Sequence, residues 1–207
     1  MAASPKHSRL LLALGIFSLY ASLASFSALW PFMVEAAGVD SASYGGFLGA
    51  GSILSLFARG LLMAANNLGI VAYAGAIFSI GSAAILLAGY TYHTILFSTI
   101  LQRLGFAASM MGRGLAAGLE VPRSWRGVFT AGVVSSAQLG ILIGVNLGLS
   151  TFLLTGSYIY ALISGIFLAA LSMILLAPWR KVRLFEENFS LKLLIPSSRP
   201  AKLLLAI

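Results

Sequence analysis

Apolar residues run through this chain in long blocks rather than in the short alternations of a half-buried strand. Six blocks reach the roughly 20 residues that a membrane-spanning helix needs. They cover residues 10–34, 44–65, 68–90, 93–119, 128–155 and 158–179. The separators carry turn and cap residues: Gly38 and Asp40, Asn66 and Asn67, Pro122 and Ser124, Gly156 and Ser157. Because the blocks are apolar all round, they read as helices. The strands of a membrane barrel would alternate in polarity over about ten residues. Pro31 is expected to kink the far end of the first helix.

The basic residues orient the helices. Lys6 and Arg9 precede the first block, Arg113, Arg123 and Arg126 flank the connection between the fourth and fifth, and Arg180, Lys181 and Arg183 follow the sixth. The connections after blocks one, three and five hold no Lys or Arg, and the first holds Glu35 and Asp40 instead. Excess Lys and Arg mark the cytoplasmic side, so the reading is an all-α integral membrane protein with six transmembrane helices and both termini cytoplasmic. The plasma membrane is the expected location.

One rival exists at the N-terminus. Residues 1–25 have the basic start, apolar core and small residues of a secretory signal, but the apolar run continues through Trp30 and Phe32, too far for such a core. A retained first helix is the preferred reading. The layout is therefore a cytoplasmic N-terminus (1–9), a helical bundle (10–179) and a basic cytoplasmic strip (180–202) suited to lying on the membrane surface. Residues 203–207 read as the start of a seventh helix, which suggests a truncated chain.

Composition agrees with this layout and removes the other classes. Apolar residues make up 59% of the 207 and charged residues 9%, where a soluble domain carries about 25% charge. There are no cysteines, so no disulfide scaffold or thiol chemistry is available. The net charge of +8 would suggest nucleic acid in a soluble protein, but here most of it marks topology. The chain's expected surroundings are a lipid bilayer and no nucleic acid.

Catalytic constellations are missing. The two histidines, His7 and His93, are far from each other, and neither HExxH nor a phosphate loop occurs. No enzyme activity, metal site or cofactor is expected. Two charges do lie inside blocks. Arg103 is ten residues beyond His93, hence about 15 Å along the helix axis, near mid-membrane. Arg59 lies about two turns from the end of the second block. An arginine at a helix centre costs about 2.5–3.5 kcal/mol, and no block contains a deep Asp or Glu to neutralise it. Arg59 is near enough to the interface to snorkel, whereas Arg103 points to a cavity that holds an anion.

The fifth block has a small residue at every fourth position: Gly132, Ser136, Gly140, Gly144 and Gly148. This spacing forms a groove for close helix approach, expected to lie open with no partner inside the chain. Gln138 and Asn146 are read as polar groups within that groove, and with Arg59 and Arg103 they form the candidate solute site.

From Gly118 through Gly144 the chain resembles the major facilitator superfamily. Glu120, Pro122, Arg126 and Gly127 stand where that family has an acidic residue, Pro and Arg-Gly between helices four and five, and Gly140 and Gly144 match its glycine-rich fifth helix. In the loop between helices two and three only Gly69 of the family's charged signature is present, and Val145 stands where the antiporter-type Pro would be. The resemblance implies two inverted three-helix repeats, residues 10–90 and 93–179, forming one six-helix half that works with a second half. It also implies a transporter of a small solute by alternating access, and the unneutralised Arg103 makes an anion the expected solute. The competing expectation is a non-transporting membrane interaction or regulatory protein derived from a half transporter.

Overall fold

Helix α1 (Lys6–Ser25) enters the bundle and is followed by a 3-10 turn, Ser27–Leu29, and the short α2 (Trp30–Ala36), which completes the same candidate span. The computed structural model describes residues 6–64, 67–117 and 123–179. The later helices are α3 (Ser41–Ala64), α4 (Leu68–Leu87), α5 (Tyr92–Ala117), α6 (Arg123–Thr155) and α7 (Tyr158–Leu176). Six helical segments are long and apolar enough to cross a membrane: Arg9–Ala36, Ser41–Leu62, Leu68–Leu87, Tyr92–Gly114, Ser124–Thr155 and Tyr158–Trp179. This is the all-α layout of a multi-pass membrane protein. The basic strip 180–202, the apolar run 203–207 and the motif residues Glu120 and Pro122 lie outside the described residues.

Local chemistry sets the breaks between elements. Pro31 has no N–H and stands in the first turn of α2, where a helix does not need one. The chain before it tightens instead, with Leu29 N donating to Phe26 O at 3.0 Å. Asp40 precedes α3 and accepts from Ser43 N at 2.8 Å and Ser43 Oγ at 2.7 Å. Asn67 caps α4 by accepting from Ile70 N at 3.1 Å. Gly38 and Gly156 take φ of +65° and +64°, the left-handed conformation that ends a helix most readily at glycine. Helix α6 begins five residues before its apolar block, because backbone hydrogen bonding continues into the polar interface beyond the point where hydropathy changes.

The bundle is organised around α1. It packs against α6 and α7, α4 packs against α5 and α7, and α3 rests on α5. Across the most apolar 18-residue stretch of each span, 67% is buried in the first, 17% in the second and 22% in the fifth. Among the described residues, the outer faces of α3 and α6 are therefore without a protein neighbour. Leu56, Phe57 and Leu61 on α3 and Leu142, Leu153 and Leu154 on α6 are all exposed.

Three apolar clusters fill the interior. Phe26, Leu29, Met33, Leu86, Ile95 and Leu162 form one, Leu12, Ile16, Leu68, Val133 and Leu176 form the second, and Leu19, Ala76 and Ala169 form the third. Buried hydroxyls also join the helices. Ser22 Oγ on α1 donates to Gly165 O on α7 at 2.7 Å and shares a 2.6 Å hydrogen bond with Ser79 Oγ on α4. Ser82 and Ser98 join α4 to α5 through their hydroxyls at 2.7 Å and through both backbone carbonyls. Small hydroxyl residues let backbones approach while satisfying their own polar groups, which lipid cannot do.

The glycine stripe on α6 does have a partner inside the chain, contrary to the expectation of an open groove. A side chain at Gly140, Gly144 or Gly148 would run into the backbone of α1 at Phe17, Ala21 and Ser25 respectively. Gly132 has no neighbour within 4 Å, so the contact covers only the later part of the stripe. Gln138 and Asn146 are exposed and do not share it. The reason is angular: a two-residue step from a stripe glycine turns about 200° around the helix.

Candidate functional site

Helices α3 and α5 run side by side in the same direction, and one narrow contact sets their level. A Cβ at Gly51 would sit 2.9 Å from Arg103 Cγ and 3.5 Å from the Ile100 backbone. Glycine at position 51 thus admits the stem of Arg103 between the helices. Two turns further along α3, Arg59 Nη2 reaches Met110 Sδ on α5 at 3.7 Å. The two arginines line one open groove of about 440 Å³. Ser52, Ser55 and Leu56 from α3 and Phe106, Ala107 and Met110 from α5 complete it.

The electrostatics of this groove are one-sided, because no carboxylate lines it among the described residues. The Nε of Arg59 is buried without a hydrogen-bond partner, and its Nη2 meets only a thioether, a weak acceptor. Arg59 therefore lies along the groove against Met110. The side chain of Arg103 is exposed at the groove surface. The hydroxyls of Ser52 and Ser55 donate back to Leu48 O and Ser52 O, each at 2.7 Å. Their remaining lone pairs face outward as acceptors only. The guanidiniums are thus the donors the groove offers, which suits a planar oxyanion such as a carboxylate or phosphate.

The expected site residues separate into two places. Arg59 and Arg103 come together, whereas Gln138 and Asn146 stand on α6, which contributes nothing to this groove. Asn146 Nδ2 donates to Leu142 O of its own helix at 2.8 Å, a local solution for an amide with no neighbour. Gly69 is buried in the first turn of α4, and Arg126 and Gly127 are exposed near the start of α6. Arg113 is more than a topology marker, since its guanidinium lies 5.9 Å from the ring centre of Tyr20 on α1.

Gln102 was not among the residues singled out, and it occupies the most connected polar position beside the groove. Its Nε2 donates to Leu23 O at 3.1 Å and to Ser27 Oγ at 2.8 Å, while its Oε1 accepts from Trp30 Nε1. The three partners bracket the break between α1 and α2: Leu23 in the last turn of α1, Ser27 in the 3-10 turn and Trp30 at the start of α2. The adjacent Arg103 draws attention away from it in the sequence, although an amide inside an apolar span is itself a signal. Ser52, Ser55 and Arg59 also share a readable spacing, at i, i+3 and i+7 along one helix face.

No group of three or more potential metal-binding side chains occurs among the described residues. Compared with known proteins, the chain matches no family model, no curated protein and no solved structure.

Proposed function

We propose that this chain is a six-helix transport unit that carries a small anionic solute by alternating access, in the manner of the major facilitator superfamily it resembles. The observation that carries the reading is the groove lined by both Arg59 and Arg103 with no carboxylate among its described lining residues. A deep, unneutralised guanidinium is expensive in a membrane and is ordinarily retained for function. Gly69, Arg126, Gly127, Gly140 and Gly144 are the described residues of the family-like pattern, and the last two pack directly against the backbone of α1.

The helix pairing supports two three-helix repeats. If spans one, two and three are exchanged with four, five and six, the pair one–five becomes four–two and the pair one–six becomes four–three. The pair three–six becomes itself. All of these pairs are among the packed helices of the bundle, whereas the contact between spans five and six has no comparable counterpart between two and three. The poorly covered spans, two and five, are also exchanged. Such symmetric uncovered faces support a second six-helix unit as partner. On this reading the basic side is cytoplasmic and the plasma membrane is the site of action. The same uncovered faces favour one second reading, a non-transporting protein that binds another membrane chain.

Reconstitution into liposomes tests the proposal. The purified chain is expected to take up organic anions, and Arg103→Gln to abolish uptake without changing thermal unfolding. Uptake of none of a panel of inorganic and organic anions, or full uptake by Arg103→Gln, would reject the carrier reading.

A further inference from the structure

The groove between α3 and α5 has a charge at each end and a neutral middle. Arg103 stands at the level of Gly51, and Arg59 is eight residues further along α3. Their backbones are therefore separated by roughly 12 Å along the helix axis. Between them are Ser55, Leu56, Phe106 and Ala107. The proton of Ser55 is already given to Ser52 O, so its oxygen presents lone pairs that repel negative charge. An anionic group is thus stabilised at either end of the groove and disfavoured at its centre.

A ligand with one acidic group satisfies one guanidinium and leaves the other without a counter-charge. Among the described residues Arg59 hydrogen-bonds to the sulfur of Met110, a weak acceptor, and its buried Nε has no partner. From this arrangement we infer that the solute is an elongated dianion, a linear dicarboxylate with its acid groups at opposite ends and an apolar chain between them. One carboxylate pairs with Arg103 and the other with Arg59, while the methylenes lie against Phe106 and Leu56. The inference rests on the anion-carrier reading and sharpens its substrate class.

The test compares matched acids on the whole chain in detergent micelles. Succinate, glutarate and adipate are titrated against butyrate, valerate and hexanoate, with binding read calorimetrically. A second charge-assisted contact makes the best dicarboxylate bind roughly tenfold to a hundredfold more tightly than the monocarboxylate of equal length. Arg59→Gln and Arg103→Gln each reduce the dicarboxylate to the affinity of the monocarboxylate. Lysine at either position, which keeps the charge, restores part of the preference.

Equal binding of both acid classes by the unaltered protein overturns the inference while leaving an anion carrier in place. A preference that survives Arg59→Gln overturns it as well. Absence of binding by any of the six acids overturns both the inference and the reading beneath it. The comparison within the unaltered protein decides the matter even where a variant does not fold.

Discussion

Alanine at Gly144 is the most direct probe of how the bundle is held together. A Cβ there would lie 2.8 Å from Ala21 Cα and 2.9 Å from Ala21 C on α1, and closer still to the Ala21 carbonyl oxygen. Ordinary carbon contacts begin near 3.5 Å, so α6 must withdraw from α1 by something over half an ångström. Neither side can yield locally, since both contacting groups are helical backbone. A gap of this size forfeits about a quarter of each dispersion contact along the pair, and overpacking of this kind costs about 1–3 kcal/mol. Alanine also favours helix over glycine by up to about 1 kcal/mol, which offsets part of the loss. Gly132 on the same helix has open space around it, so Gly132→Ala keeps the helix gain without the clash. Reversible unfolding in mixed micelles, followed by tryptophan fluorescence, should separate the two variants by roughly 2 kcal/mol, with Gly144→Ala the less stable. If the two variants unfold alike, or Gly144→Ala is the more stable, α1 and α6 do not meet at this position and the packing account fails.

Gln102→Leu removes three hydrogen bonds at the break between α1 and α2 and strands the indole N–H of Trp30. A loss of about 1–3 kcal/mol is expected in thermal unfolding, and a variant as stable as the parent would contradict the network. The Ser22 and Ser79 hydroxyls should show a coupling of about 0.6 kcal/mol in a double-mutant cycle to alanine; strictly additive losses would argue against their hydrogen bond. Asp40 has its pKa held below the ordinary carboxylate value, chiefly by the Ser43 N–H and then by the Ser43 hydroxyl. Its folded pKa being the lower one, the cap is fully effective above the unfolded value of about 3.9 and is lost as pH falls through the folded value. Carboxyl carbon NMR should find the Asp40 midpoint below that value and rising in Ser43→Ala, and an unchanged midpoint would contradict the cap.

Much of the fold is legible in the residues themselves. The membrane class and the six spans follow from local quantities: block length, the scarcity of charge, and caps such as Asp40, Asn67 and Gly156. Each of these acts within a few residues of itself, so no knowledge of neighbours is required. Arg59 and Arg103 were likewise conspicuous, because charge in an apolar block is costly wherever the helix packs. Which helix lies beside which is a different kind of question. The stripe from Gly140 to Gly148 declares that some helix comes close, but only the packed bundle identifies α1 as that helix. Spacing along α6 already turns Gln138 and Asn146 away from the stripe, but no spacing shows that Gln102 reaches across to the break at Ser27. The meeting of Arg59 with Arg103 is of this second kind. They are separated by 44 positions, on two helices brought into register by the missing side chain of Gly51. Local sequence determined that this chain crosses a membrane and carries two uncompensated charges; tertiary packing alone put both charges in one groove, because helix pairing depends on the fit of whole surfaces rather than on any single segment.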